Sequence, residues 1–232
     1  MTGAPELGLP EGDEKHRAVR SMFDTISGRY DLVNRVMTLG MDVGWRRRAV
    51  SDLRLAGGSL VLDLACGTGD LCRELQRNGY RVVGFDFSHG MLTAATTSVP
   101  LVEADVLRLP LHDGAADGVT CGFALRNVVD LGAFFTELAR VVRTGGRIAL
   151  LDASEPDNRV MRAGHGIYFR HVVPRIGGLL SDGAAYAYLP RSMAYLPPPD
   201  EMLAMLRDAG FQDAQRHQLS GGIAQLLEGT RR

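Results

Sequence analysis

The chain has 232 residues, a length that suits one large α/β domain or a domain with a modest lid. Its formal net charge of −1 excludes the broad basic field that nucleic-acid binding needs. The three cysteines form neither a CxxC pair nor a zinc spacing, so we expect reduced thiols and no metal site. We find neither a signal peptide nor an apolar stretch long enough to span a membrane, and therefore expect a soluble, cytoplasmic protein.

The first quarter of the chain predicts a tail followed by helices. Residues 1–13 are acidic and rich in glycine and proline, which is typical of a loose tail. Apolar residues then recur at helical spacing in two groups, from Val19 to Tyr30 and from Trp45 to Leu53. Residues 14–58 therefore predict helices and no strand.

Alternating strands and helices are predicted over residues 59–152. Short apolar runs predict buried parallel strands at Leu60–Leu64, Val82–Phe87, Leu101–Ala104, Val119–Phe123 and Ile148–Leu151. The helical stretches between these strands cover residues 70–78, 89–97 and 130–142. This alternation favours a parallel sheet with helices on both faces.

The last third predicts a cover over the sheet and a closing hairpin. Residues 153–198 combine tyrosines, aliphatic residues and prolines without a strand period, and we interpret them as a helical lid. Residues 199–209 predict a helix, followed by antiparallel strands at Phe211–Leu219 and Ile223–Thr230. The whole pattern predicts a doubly wound, mostly parallel α/β sheet of seven strands, with residues 14–232 as a single domain.

The loop after the first strand has the composition of a ligand-binding turn. Gly67 and Gly69 would let a ligand approach the backbone, and the following helix offers free N–H groups. A dinucleotide loop needs a third glycine where Cys72 stands. Asp63 and Asp70 would repel a pyrophosphate but attract the ammonium group of a methionine tail.

Acidic residues also follow the next two strands. Asp86 ends the second strand, where a carboxylate can accept hydrogen bonds from two ribose hydroxyls. Asp105 follows the third strand, where it can accept a bond from the amino group of adenine. Because the carboxyl ends of parallel strands meet at one edge, Asp63, Asp86 and Asp105 predict an adenosine site. S-adenosylmethionine combines an adenosine with a methionine tail, so it is the cofactor that fits both this site and the glycine loop.

Motifs outside the glycine loop are more specific than the loop itself. They include Phe23-Asp24, Tyr30-Asp31, Leu125-Arg126-Asn127-Val128, His171-Val172-Val173-Pro174 and Leu219-Ser220-Gly221-Gly222. With them the chain resembles, from Met22 onward, the class I methyltransferases, and within these the ubiquinone/menaquinone-biosynthesis C-methyltransferases of the UbiE type. This resemblance implies a Rossmann-like fold, S-adenosylmethionine as cofactor and C-methylation of a prenylated quinol, most directly demethylmenaquinol.

The resemblance also implies which residues contact the cofactor. They would be Thr68, Asp86, Asp105 and the backbone at Val106. Gly122 stands where many members have a serine that contacts the cofactor, so we expect one side-chain bond to be missing.

Other departures from the family pattern lie near the expected substrate side. Ala124 replaces a usual glycine, residues 152–156 replace a common Glu-Phe-Ser-Lys-Pro, and Leu227 replaces a frequent histidine. They motivate an alternative substrate, either the benzoquinol of the ubiquinone pathway or another aromatic or polyketide molecule. A further alternative is a nucleotide-binding protein without transferase activity.

Two residues are candidates for catalysis of methyl transfer to a quinol carbon. Ionising a neighbouring hydroxyl activates that carbon, and a phenol pKa of about 10 calls for a base or a positive neighbour. Arg126 could stabilise the oxyanion, or be a structural arginine that pairs with an acid. His171 could be the base, or a structural histidine.

Three residues are candidates for substrate contact. Asn127 could bond a quinol oxygen or cap a turn, and Tyr30 and Tyr168 could wall an apolar pocket or pack within their own segments. The run Arg46–Arg48 could contact anionic lipid or be a solvated helix face. Peripheral contact with the inner face of the membrane and homo-oligomerisation are left open by the sequence.

Overall fold

The computed structural model describes residues 11–167 and 191–232, and its centre is one mixed sheet. The sheet has seven strands in the order β3-β2-β1-β4-β5-β7-β6. The strands are β1 (Leu60–Leu64), β2 (Arg81–Asp86), β3 (Leu101–Glu103), β4 (Ala116–Gly122), β5 (Val142–Ala153), β6 (Phe211–Leu219) and β7 (Ala224–Arg231). Neighbouring strands are parallel except at β7, which is antiparallel to both β5 and β6.

Eight helices are described around this sheet. They are α1 (Gly12–Ile26), α2 (Tyr30–Met37), α3 (Met41–Asp52), α4 (Asp70–Arg77), α5 (His89–Thr93), α6 (Leu131–Val141), α7 (Arg159–Ile167) and α8 (Pro199–Asp208). Short 3₁₀ turns cover Ser27–Arg29, Leu125–Asn127, Met193–Tyr195 and Ser220–Gly222. Within the described residues, every helix is too short or too polar to cross a lipid bilayer.

The predicted doubly wound sheet is confirmed, with differences at the ends of elements. Helix α1 begins at Gly12, so the last two residues of the predicted tail belong to a helix. Helix α5 ends at Thr93 and is shorter than the predicted stretch 89–97, since residues with low helix propensity such as Thr96 and Thr97 follow it. Most of the predicted lid, 153–198, lies outside the described residues, and that assignment stays a prediction.

Both faces of the sheet are covered by apolar helix surfaces. On one face α3 and α4 pack on the inner strands with Ala49, Val50, Leu53, Leu71 and Leu75, all of them buried. On the other face α6 and α8 contribute Phe134, Phe135, Leu138, Met202 and Leu206. Because both faces are buried, the central strands consist of almost continuous apolar residues.

The topology places a crevice at one edge of the sheet. The chain proceeds from β1 outward to β2 and β3, then returns to the other side of β1 for β4. This reversal between β1 and β4 opens a crevice at the carboxyl ends of the strands, where α/β proteins bind ligands. Helix α1 is fixed beside it, because Asp24 accepts hydrogen bonds from Ser88 Oγ at 2.6 Å and from the Gly90 N–H at 2.9 Å.

Candidate active site

The glycine loop between β1 and α4 adopts a conformation that its glycines make accessible. Gly67 and Gly69 have φ values of +55° and +86°, in the left-handed region. A Cβ atom on Gly69 would lie 2.8 Å from Thr97 Cγ2, so a larger residue would also clash there. The N–H of Gly67 donates to Asp86 Oδ2 at 2.8 Å, which joins the loop to the end of β2.

A small cavity of about 100 Å³ opens at this edge of the sheet. Most of the predicted cofactor residues line it, namely Asp63, Gly67, Thr68, Asp86, Asp105, Val106 and Gly122, together with the predicted substrate residues Tyr30 and Asn127. Gly69 is the one predicted cofactor residue that is not among the described residues lining this cavity. The structure therefore brings together residues that are up to 97 positions apart in the sequence.

Asp86 is a buried carboxylate that lines this cavity. Besides the Gly67 bond, its Oδ1 accepts from the Ser88 N–H at 2.9 Å. Burial raises the pKa of Asp86 to about 6, and the backbone N–H donors partly offset that rise. Each carboxylate oxygen can accept a second bond, so Asp86 retains the capacity to bind two ribose hydroxyls.

Asp63 is fully buried inside β1. It accepts hydrogen bonds from Thr120 Oγ1 at 2.9 Å and from Cys72 Sγ at 3.2 Å. Burial raises its pKa to about 7, while the two side-chain donors and the charge of Arg46 lower it. A cationic ligand group beside Asp63 would favour its ionised form.

Asp70, which we expected to share the role of Asp63, has other partners. It pairs with Arg73 and with Arg46, whose Nη2 lies 3.1 Å from Asp70 Oδ2, and Arg35 lies 3.6 Å away. Three guanidinium groups thus already neutralise this carboxylate. Asp63 fits an ammonium group better than Asp70 does.

Asp105 lies at the outer rim of the cavity and is partly exposed. Its Oδ1 accepts from the Leu107 N–H at 2.9 Å, and His16 Nε2 lies 3.7 Å from its Oδ2. The ring of His16 packs edge-on against Phe87 with centroids 5.2 Å apart. His16 and Phe87 could not be singled out from the sequence, because their partners are distant along the chain.

Thr68 and Gly122 show how the loop is supported. The Thr68 hydroxyl donates to the carboxylate of Asp31, which fixes the start of α2 to the glycine loop. A Cβ atom on Gly122 would lie 2.7 Å from Leu71 Cδ1, so a serine at this position would require that side chain to move. The space that a family serine would occupy is partly filled by leucine.

A second cavity, of about 390 Å³, lies beside the first. Its described lining is mostly apolar and includes Met37, Leu39, Met41, Trp45, Met161, Met193 and Ile223. Three residues, Tyr30, Arg46 and Phe123, line both cavities and form the wall between them. Phe123 has a φ of +61°, an uncommon conformation for a bulky residue that marks backbone strain at this wall.

Arg126 lies in the wall of the larger cavity and is buried. Its guanidinium forms an ion pair with Asp152, and its backbone N–H donates to Asp152 Oδ2 at 3.1 Å. The sequence left open that Arg126 is a structural arginine paired with an acid, and this pair is present in the structure. The acid is Asp152, the first of the residues 152–156 that depart from the family pattern. Because Arg126 also lines the cavity, the pair leaves N–H groups for a ligand oxygen.

Two of the other predicted substrate and catalytic residues line a cavity, and two lie outside the described residues. Asn127 lines the smaller cavity, so it and its neighbour Arg126 serve different cavities. Tyr30 lines both, and burial raises the pKa of its hydroxyl while Arg126 lowers it. His171 and Tyr168 lie outside the described residues, and their roles stay predictions.

A family model excludes one of the alternatives left by the sequence. The model of the ubiE/COQ5 methyltransferase family matches residues 11–231. The chain belongs to that family. It is an S-adenosylmethionine-dependent methyltransferase, and it acts on a small molecule. The alternative of a nucleotide binder without transferase activity is set aside.

Similar curated proteins cover nearly the whole methyltransferase. The demethylmenaquinone methyltransferase of Deinococcus radiodurans is 42% identical over 235 residues, which span 96% of this chain and 97% of the relative. The ubiquinone/menaquinone biosynthesis C-methyltransferase UbiE of Syntrophotalea carbinolica is 41% identical over 221 residues, or 91% and 93% of the two chains.

Solved structures with lower identity show the same fold. The [4+2]-cyclase SpnF superposes with a TM-score of 0.67 at 15% identity and covers 99% of both chains. Phosphoethanolamine N-methyltransferase 2 of Haemonchus contortus, in complex with S-adenosyl-L-methionine, has a TM-score of 0.61 at 12% identity and covers 81% of this chain and 52% of that one. These likenesses confirm the Rossmann-like architecture, and the first of them shows that the fold hosts more than one reaction.

The pKa values of Asp63 and Asp86 predict pH-dependent cofactor binding. Raised values of about 7 and about 6 mean that both carboxyls become ionised only as the pH rises through this range. The ammonium group of S-adenosylhomocysteine stays protonated below pH of about 8, so its affinity should rise several-fold between pH about 5.5 and about 8. Calorimetry checks this, and Asp63→Asn should flatten the upper half of the profile. An affinity independent of pH in the unaltered protein would contradict it.

Proposed function

We propose that the enzyme C-methylates a prenylated quinol, with demethylmenaquinol as its substrate. The observation that carries this proposal is the apolar cavity of about 390 Å³ next to the cofactor cavity, with Arg126 in its wall. An aromatic ring placed there would lie against the wall formed by Tyr30, Arg46 and Phe123, directly beside the methyl donor's cavity. The names of the similar proteins from Deinococcus radiodurans and Syntrophotalea carbinolica support the same substrate class.

The lining of the larger cavity suits a prenylated ring. Its volume falls within the range of small-molecule sites, roughly 300–1,000 Å³, which accommodates an aromatic head and the first part of an isoprenoid tail. Four of the described lining residues are methionines, Met37, Met41, Met161 and Met193, whose flexible side chains adapt to a branched tail. The rest of a long tail would leave through the open side.

The mechanism follows from placement of charge and exclusion of water. The bound cofactor supplies a methyl group on a positively charged sulfur. Asp63, Asp86 and Asp105 would hold the cofactor, and the quinol ring carbon that receives the methyl group would give up its proton. Arg126 stabilises the negative charge on the neighbouring quinol oxygen, and Asn127 orients the ring from the side of the smaller cavity. His171 is the proposed base.

The alternative substrates call on the same chemistry. Two of the residues that depart from the family pattern have structural roles. Asp152 forms the ion pair with Arg126. Leu227 is fully buried in β7, where Leu150 and Arg216 are its strand partners. Leu227 therefore gives little reason to expect a polyketide. A benzoquinol of the ubiquinone pathway would fit the same cavity, and competition between short-chain naphthoquinol and benzoquinol substrates distinguishes them.

Contact with the membrane also belongs to the proposal. A prenylated quinol dissolves in the bilayer, and Leu39 and Met161, which line the cavity, are both exposed. We therefore propose that the enzyme, which we expect in the cytoplasm, makes peripheral contact with the inner face of the membrane while it loads substrate.

The redox state of the substrate provides the test of this function. Only the quinol has a hydroxyl to ionise and an electron-rich ring carbon, so turnover should require a reductant. Initial rates with a short-chain demethylmenaquinone, measured with and without dithionite, should differ by about tenfold or more, since general acid–base and electrostatic activation contribute at least that much. Equal rates with the oxidised quinone would rule out the proposed reaction.

A further inference from the structure

The charges around the cofactor cavity are unevenly distributed. The described residues that line it include five aspartates, Asp31, Asp63, Asp70, Asp86 and Asp105, and Arg46 is their only arginine or lysine. The methionine part of the cofactor carries an ammonium group and also a carboxylate. The aspartates suit the ammonium group and the hydroxyls, but they would repel the carboxylate.

Arg46 has the burial and the spare donors to bind a carboxylate. Its side chain is 9% exposed, and Cζ lies 5.4 Å from the centroid of the Phe123 ring. The guanidinium pairs with Asp42 and lies 3.1 Å from Asp70 Oδ2. A guanidinium group has five N–H donors, so these two carboxylates leave some of them for a ligand.

The surroundings of Arg46 hold it in one orientation. Asp42 is buried one turn earlier on α3, and it accepts a further hydrogen bond from Thr38 Oγ1 at 2.7 Å. Trp45, which directly precedes Arg46 on the same helix, packs 6.2 Å from Phe123, and its Nε1 donates to Ser220 Oγ at 2.8 Å. A guanidinium fixed in this way is preorganised for a planar carboxylate.

We propose that Arg46 binds the carboxylate of the cofactor's methionine part, with Asp42 as its positioning residue. Because Arg46 also lines the larger cavity, it holds the amino-acid end of the cofactor against the wall that faces the substrate. This assignment replaces the two interpretations from the sequence, lipid contact and a solvated helix face, for Arg46. Arg47 and Arg48 are exposed, so those interpretations apply to them alone.

Two ligands that differ only in the carboxylate isolate this contact. They are S-adenosylmethionine and its decarboxylated form, and calorimetry measures the affinity of each for the unaltered protein and for Arg46→Met. The variant should lose about 30- to 100-fold in affinity for S-adenosylmethionine, as expected for a charge-assisted bidentate pair. Its affinity for the decarboxylated ligand should change by less than about threefold. Arg46→Lys keeps the charge without the planar fork, so its affinity for S-adenosylmethionine should fall between those of Arg46→Met and the unaltered protein.

The controls distinguish this contact from a general effect on the fold. Arg47→Met alters an exposed arginine on the same helix and should leave both affinities unchanged. Arg46→Met leaves Asp42 buried without its main partner, and the single variant can fail to fold for that reason. In that case the two ligands are compared on Asp42→Asn/Arg46→Met, which removes both charges. Equal losses for both ligands would assign Arg46 a structural role and overturn the proposal.

Unchanged affinity for both ligands would also overturn the proposal for Arg46. It would mean that the N–H groups at the start of α4 bind the carboxylate instead. The measurement uses cofactor ligands alone. Its failure would therefore leave the proposed methylation of a quinol untouched.

Discussion

Replacing Asp86 by alanine should weaken the binding of S-adenosylhomocysteine by about 100-fold, on the order of 3 kcal/mol. The substitution removes two acceptors for ribose hydroxyls. It also removes the acceptor for the Gly67 N–H, so the glycine loop loses its connection to the end of β2. Isothermal titration calorimetry of the folded variant measures the loss.

Asp105→Ala is the matched control, because Asp105 lies at the rim and we expect it to contact only the adenine edge. Its effect should be clearly smaller than that of Asp86→Ala, since the carboxylate of Asp105 is 45% exposed and is solvated without the ligand. A dissociation constant for Asp86→Ala equal to that of the unaltered enzyme would contradict the assignment of Asp86. Larger losses at Asp105 than at Asp86 would reverse the assigned positions.

Arg126→Lys should reduce kcat by about 100-fold and change the affinity for the cofactor by less than about twofold. Lysine keeps the positive charge beside Asp152 but cannot bond the carboxylate and a quinol oxygen with one planar group. Steady-state kinetics with a short-chain demethylmenaquinol gives kcat, and calorimetry with S-adenosylhomocysteine gives the affinity.

Lysine is preferred to alanine here because alanine would leave Asp152 buried and unpaired, at a cost of about 3–5 kcal/mol of stability. Arg126→Met/Asp152→Asn removes both charges, and it should be folded but slow. If this double variant turns over at the unaltered rate while His171→Ala is inactive, His171 alone activates the quinol and the role of Arg126 is wrong. If neither residue matters, positioning alone carries catalysis, and the role of Arg126 as a stabiliser of the oxyanion is wrong.

Much of the fold was predictable because buried parallel strands leave a direct signal. The predicted strand Leu60–Leu64 coincides with β1, since five apolar or buried residues are bounded by turn-forming ones. Asp86 was predictable for a related reason, because it ends such a strand and the carboxyl ends of parallel strands meet at one edge.

What the sequence could not predict depends on pairing between distant segments. Asp63 and Asp70, at the two ends of the glycine loop, look equivalent in the sequence, yet three arginines pair with Asp70. Two of these partners, Arg35 and Arg46, lie far from Asp70 in the sequence and could not be predicted from it. Arg46 itself belongs to a run of three arginines that is typical of an exposed helix face. Only packing of α3 beside Phe123 turns one of the three toward the cavities.

The position of the transferred methyl group distinguishes methylation of a quinol carbon from methylation of a quinol oxygen. The enzyme is incubated under reducing conditions with a short-chain demethylmenaquinol and with S-adenosylmethionine whose methyl group carries deuterium, and the product is fragmented in a mass spectrometer. We expect one labelled methyl group on a ring carbon, formed only when the enzyme is present. A label on a quinol oxygen, or no transfer by an enzyme that binds the cofactor normally, would contradict it.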